Sequence, residues 1–164
     1  MYTLKPQQQT GNPGSARGFS LIEVLVALIV MSVGMLGIAG LYVHGLQAGR
    51  TSLFRHHAVN LAGDVADRIR ANPYAGSDYA ASAGADNGCI AGGKDCTPDE
   101  MASNDIDLWQ EQAEATLPDG TVTVAYSDAA VPSVYTVTVS WSEPGQDPAP
   151  SYQVRFPIFE MPLL

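Results

Sequence analysis

Residues 18–43 read GFSLIEVLVALIVMSVGMLGIAGLYV, a glycine followed by a nearly pure apolar run with one acid, Glu23, close to its start. No charged side chain lies between Glu23 and Arg50, and the 20 residues from Val24 to Val43 are almost all aliphatic or small. A helix needs roughly 20 such residues to cross a hydrocarbon core of about 30 Å. The run therefore predicts a membrane-crossing helix over about residues 22–44. An ordinary secretory signal has a shorter apolar core followed by a small-residue cleavage site, a pattern this run does not follow.

One membrane span in 164 residues leaves room for a single folded domain of roughly 120 residues. The net charge is −9, and no basic patch is available to release counterions from a phosphate backbone, so a nucleic-acid binder is not expected. From Pro73 onward there are 14 acids and two bases, Lys94 and Arg155, whereas Arg50, Arg55, Arg68 and Arg70 cluster in one short segment. The distal domain is acidic. Residues 1–17 carry Lys5 and Arg17 among Pro, Gly and Gln and read as a leader; Arg50 and Arg55 balance those two charges, so counting bases leaves the orientation open.

Beyond the apolar run, Phe54, Ala58, Leu61, Ala62, Val65 and Ile69 recur at helical spacing. The helix is expected to continue over 19–72 and to stop at Asn72-Pro73. His56 and His57 are adjacent, so they diverge around a helix and do not suggest a shared metal. Residues 74–100, rich in Gly, Ala, Ser and Asp, read as a long loop. Cys89 and Cys96 within it enclose IAGGKD and are most simply a disulfide. Their spacing fits neither a C-x-x-C redox motif nor a zinc site, which would need further ligands. Asp95, Asp99, Glu100, Asp105 and Asp107 supply oxygens of the kind calcium takes, without EF-hand spacing.

A second helix is expected from Ser103 or Asn104 to Thr116, carrying Ile106, Trp109, Ala113 and Leu117 inward. Strands follow at Thr121–Tyr126 and Val134–Trp141, paired antiparallel, with Tyr135, Val137, Val139 and Trp141 on one face. A third, Tyr152–Phe159, presents Tyr152, Val154, Phe156 and Ile158 together, and Pro157 confines it to an edge. The fold class is α+β: a long N-terminal helix, apolar then amphipathic, on a small antiparallel sheet.

The stretch RGFSLIEVLVALIVMSVGMLGIAGLY resembles the class III signal of type IV pilins and pseudopilins: a short basic leader ending in Gly, then Phe, then Glu five residues after the Gly. The resemblance implies that a prepilin peptidase cuts between Gly18 and Phe19 and methylates the new amine of Phe19, so that residues 1–18 are removed. It further implies that Glu23 is an assembly contact. Cleavage converts a neutral amide into a cation, with a pKa near 8 for a free amine. A carboxylate inside an apolar segment costs about 2.5–3.5 kcal/mol and usually has a partner. The new cation answers Glu23 of its own chain, one turn away, or Glu23 of a neighbour, which the family favours; an acid that merely reaches back to water is the plainer reading.

GMLGIAGLY, the helix ending IRANPYA, the cysteine pair, DIDLWQEQAEATLPDGTVTV and VTVSW together resemble the minor pilins called PilV or type IV pilus modification proteins. That likeness implies a structural subunit without cofactor, metal site or catalytic residues. Its implied partners are the prepilin peptidase, other minor pilins and the major pilin, and the inner-membrane assembly platform. It implies an inner-membrane single-pass precursor later carried to the pilus at the cell surface, with residues 73–164 as the globular domain outside the cytoplasm. A type II secretion pseudopilin uses the same signal and is the alternative; a membrane-anchored calcium-dependent binding module or enzyme is a more distant one. No H-E-x-x-H, phosphate loop or G-x-S-x-G motif is present.

Overall fold

The computed structural model describes residues 18–90, 92–129 and 131–159. The expected leader, residues 1–17 with Lys5 and Arg17, lies outside them. Helix α1 runs unbroken over Leu21–Ala71, one residue short of the expected stop. Asn72 leaves the helical region with φ −125° and ψ 63° because the ring of Pro73 disfavours helical backbone in the residue before it. By internal contacts the chain divides between Gly45 and Leu46. The described part of the first unit is residues 18–20 and the helix up to Gly45, exposed at every residue.

The second unit holds the rest of α1, a 3-10 helix at Pro73–Ala80, helix α2 at Pro98–Thr116, and strands β1 (Thr121–Ser127), β2 (Ser133–Ser140) and β3 (Ser151–Ile158). The sheet is antiparallel in the order β1-β2-β3, with Thr121 opposite Ser140 and Val137 opposite Val154. Alternation sends Tyr135, Val137 and Val139 of β2 inward and leaves threonine and serine outward. Phe156 and Ile158 of β3 are buried, while Tyr152 stays 37 % exposed at the other end of the strand. Pro157 sits on an edge strand, as its missing N–H requires.

The α1 stripe Ala58, Leu61, Ala62, Val65, Ala66 and Ile69 joins these strand residues, Tyr79 of the 3-10 helix and Trp109 of α2 in one hydrophobic core, with Phe54 packed at its margin. Aromatic rings fill the centre: Tyr79 stacks on Trp109 at 5.5 Å between centroids, and Tyr135 stacks on Phe156 at 5.9 Å. Such pairs add about 0.5–1.5 kcal/mol beyond their burial.

Two expectations are corrected. The loop reading of 74–100 gives way at its start to the 3-10 helix, which buries Ala75 and Tyr79 and bends at Gly76, where φ is 52°. Helix α2 begins at Pro98, five or six residues before the expected start. Thr97 caps it: the Thr97 hydroxyl accepts from Glu100 N–H, the Glu100 carboxylate accepts from Thr97 N–H, and Pro98 takes the first turn. This reciprocal box satisfies two donors that a helix start otherwise leaves free. Ser103 and Asn104 do other work inside the helix. Ser103 Oγ accepts from Ala85 N–H, and Asn104 Oδ1 accepts from Asn87 and Cys89 N–H, so α2 holds down the preceding loop.

The turn after α2 depends on a close approach. A Cβ on Gly120 would overlap the backbone carbonyl of Ala113 and the Leu117 side chain. Gly120→Ala is expected to destabilise the domain by about 1–3 kcal/mol, the usual cost of forcing atoms into a packed site. Thermal denaturation of the full chain in detergent checks this, with Gly63→Ala, where a Cβ meets nothing, as the comparison that shows no such loss.

Candidate functional site

Gly18, Phe19 and Ser20 precede the first turn of α1, and Phe19 is 83 % exposed. Ser20 carbonyl accepts from the N–H groups of Glu23 (3.0 Å) and Val24 (3.3 Å), so the helix is already wound where Glu23 stands. Glu23 lies in the first turn, where free N–H groups and the helix dipole favour an anion. Phe19, Glu23, Val24, Ala27, Leu28 and Met31 line a shallow groove along this turn and the next two. The groove is apolar apart from one carboxylate. It can seat an apolar helix or an acyl chain and offers a single anionic point to a cation.

The remainder of the run prepares the helix for a non-aqueous setting. Ser32 Oγ donates to Leu28 carbonyl at 2.6 Å, so its hydroxyl carries no free donor into lipid. A Cβ at Gly34, Gly37, Gly40, Gly45 or Gly49 would meet nothing within 4 Å among the described residues. Their smallness is therefore unused by the described residues and is available to another helix.

Cys89 and Cys96 form a disulfide, with S–S 2.05 Å and Cα–Cα 5.8 Å. The bridged loop leans on α2 through Asn87 Nδ2, which donates to Glu100 carbonyl, and through Lys94 Nζ, 2.7 Å from Glu100 Oε1. Of the acids considered for calcium, Asp105 is withdrawn from the surface. It is buried, accepting from Arg68 at 2.8 Å and from the Tyr79 hydroxyl at 2.9 Å. Among the described residues no group of three His, Cys, Asp or Glu is placed to hold a metal ion.

The Arg68–Asp105–Tyr79 network escaped sequence reasoning because it joins residues from three elements. A hint lay in Arg68 itself, one position from the buried Ile69. Burial pushes the Tyr79 phenol well above its ordinary range, opposed by the hydrogen bond from Asn72 and reinforced by the Asp105 charge. A second such group, Glu143, is also buried; its carboxylate accepts from Gln146, Thr51 and Trp141 Nε1.

Comparison with known families returned two matches. Residues 14–39 match the prokaryotic N-terminal methylation motif, and residues 40–107 match the family described as type IV pilin Tt1218. Together they support a type IV pilin. The methylation motif and the apolar helix fit a pilin anchored in the inner membrane and later incorporated into the pilus. No curated protein and no solved structure matches the chain. Pilins are structural subunits, in keeping with a site that offers an apolar groove and one anion.

Two carboxylates at the start of α2 are held in their charged form. Asp99 is held below the ordinary carboxylate range by the Thr97 side chain and by backbone N–H groups, and Glu100 by Lys94 and by Thr97. Folded-state values below the unfolded ones mean stability that is present at neutral pH and is lost as pH falls from the ordinary carboxylate range through the depressed values. Asp99 is exposed and Glu100 half-buried at the surface, so the effect is small. The expected outcome is a melting temperature that declines below about pH 4.5 and declines less steeply in Glu100→Gln, checked by melting curves at a series of pH values.

Proposed function

We propose that the chain is a minor pilin of the PilV, or type IV pilus modification, group. In this reading the prepilin peptidase cuts after Gly18 and methylates Phe19, residues 19–72 form the assembly helix, and residues 73–164 form the globular domain. The subunit then enters a priming or tip complex, or the filament at low abundance, with other minor pilins, the major pilin and the inner-membrane platform as partners.

One observation carries this reading: an apolar helix surface exposed from Phe19 through Leu46, with its one acid in the first turn. In water that surface is untenable, since each large aliphatic side chain gains about 1.5–3 kcal/mol on burial. Lipid covers it in the precursor and neighbouring helices cover it in a filament. Glu23 distinguishes the two settings. Before cleavage the nearby Phe19 nitrogen is a neutral amide, and after cleavage it is a cation. An exposed Gly18-Phe19 bond beside the first turn supports access by a peptidase embedded in the membrane. The LPDG turn and the VSW end of β2 favour this group over a type II secretion pseudopilin.

Gly18→Ala is expected to block processing in cells that carry the peptidase. Mass spectrometry checks it, and a mature chain that still began at Phe19 would defeat the assignment. Glu23→Ala is expected to leave processing intact while lowering the subunit's recovery in sheared filaments by tenfold or more, the scale of about 1.4 kcal/mol or above for a lost charge pair in lipid. Equal recovery of variant and wild type in immunoblots of sheared pili would count against the assembly role.

A further inference from the structure

Arg50 and Arg55 are the first charged residues after Glu23, and both are exposed. Three other bases hold carboxylates: Arg68 binds Asp105, Arg70 binds Asp67, and Lys94 binds Glu100. Arg50 lies over the ring of Phe54 at 5.2 Å. Among the described residues, neither Arg50 nor Arg55 has a carboxylate at ion-pair distance. In a chain of net charge −9, two neighbouring guanidinium groups without an acid call for an anion from elsewhere.

Position along α1 identifies that anion. Arg50 lies 27 positions beyond Glu23 in the sequence, and 27 residues wound as a helix reach about 40 Å at 1.5 Å per residue. A bilayer with its headgroup regions is about 40–45 Å thick. With Glu23 in one headgroup layer, Arg50 therefore falls in the other, and Arg55, about 7.5 Å further on, reaches back along its flexible stem. Phe54 under Arg50 makes an aromatic and cationic pair of the kind that settles at such interfaces.

We propose that Arg50 and Arg55 bind the phosphates of an anionic phospholipid surface on the far side of the membrane and so fix the depth of α1. Two counterforces are weaker. Asp64 lies about 13 Å beyond Arg55 along the helix, past a Debye length of about 8 Å. Glu143, which meets α1 at Thr51, is buried and already accepts from Thr51, Trp141 and Gln146. The rival occupant is a second copy of this chain, presenting the exposed acids Asp107, Glu111 and Glu114 of α2. Lipid is favoured because it borders the apolar run already and requires no second domain to be ordered.

The test uses the full chain in nanodiscs of phosphatidylcholine mixed with phosphatidylglycerol. Cleavage and filament entry are not required, so its failure leaves the processing reading untouched. Cys89 and Cys96 are bonded to each other, so Ala48→Cys gives a single thiol for a spin label that reports depth. Native mass spectrometry reports the phosphatidylglycerol retained relative to phosphatidylcholine. The preference is expected to fall roughly fivefold for each arginine changed to glutamine, the label to move in depth in the R50Q/R55Q variant, and R50K/R55K to keep both properties. Unchanged lipid preference and depth in R50Q/R55Q would overturn the proposal. So would a photo-crosslinker at position 55 that captured the α2 acids of a second copy in place of lipid. Melting curves matching wild type show that R50Q/R55Q is folded.

Discussion

The constraint on which the rest depends is an apolar helical surface that its own chain does not cover. From Leu21 to Leu46 the large aliphatic side chains of α1 are about half exposed or more. Summed over the run, the transfer free energy at stake is on the order of tens of kcal/mol, more than the 5–15 kcal/mol that holds a typical domain together. The same helix solves the problem for its second half internally. From Ala58 to Ile69 its apolar residues narrow to one stripe, and the sheet, the 3-10 helix and α2 close over it. One element thus has two covers: an external one before Arg50 and the domain's own core after Ala58.

Because hydrophobic contact has no direction, polar links decide how the second half is seated. Arg68 on α1, Asp105 on α2 and Tyr79 on the 3-10 helix share one hydrogen-bonded cluster, and Asn72 joins it by donating to the Tyr79 hydroxyl and the Pro98 carbonyl. The pairing fixes the rotation of α2 against α1 in a way that alanine-rich packing alone would leave loose. Arg68 keeps part of its side chain in water while Asp105 is almost wholly buried. Loss of the arginine would therefore cost more through the stranded carboxylate than through the lost attraction. At the other end of this unit, Glu143 ties the segment after β2 to Thr51.

Legibility in the sequence follows the range of the forces involved. The stripe on α1 and the alternation in β2 were readable because burial imposes periods of 3.6 and 2 on neighbouring residues. Pro157 marked an edge because a missing donor is a local fact. The start of α2 was misread although T-x-x-E at Thr97–Glu100 is a capping signal. Ser103 and Asn104 are equally good caps by type, and only the loop they bind shows that they serve another segment. The 3-10 helix had too little periodicity to be seen, since a Tyr and an Ala buried by distant partners leave no local pattern. At the candidate site, Gly18, Phe19 and Glu23 were legible as a motif. That Arg50 and Arg55 meet no carboxylate among the described residues was not, because composition lists charges and says nothing of which ones meet.

Under the proposed function, exchange of one cover for another accounts for the small residues along α1. Lipid tails and neighbouring helices are nearly equivalent apolar solvents, so the hydrophobic effect gives little preference between membrane and filament. The preference must come from what lipid supplies poorly: close backbone approach and a specific counter-charge. A Cβ at Gly34, Gly37, Gly40, Gly45 or Gly49 would meet nothing among the described residues, which leaves room for the first. Glu23 supplies the second under the proposed maturation, since its cation arises only where the leader has been removed. Guanidinium groups at the far interface would act in the opposite sense, holding the helix at its membrane depth until those two gains exceed the phosphate contacts. On this balance, the difference between an anchored precursor and an extractable subunit rests on a few charges at the ends of an otherwise neutral run.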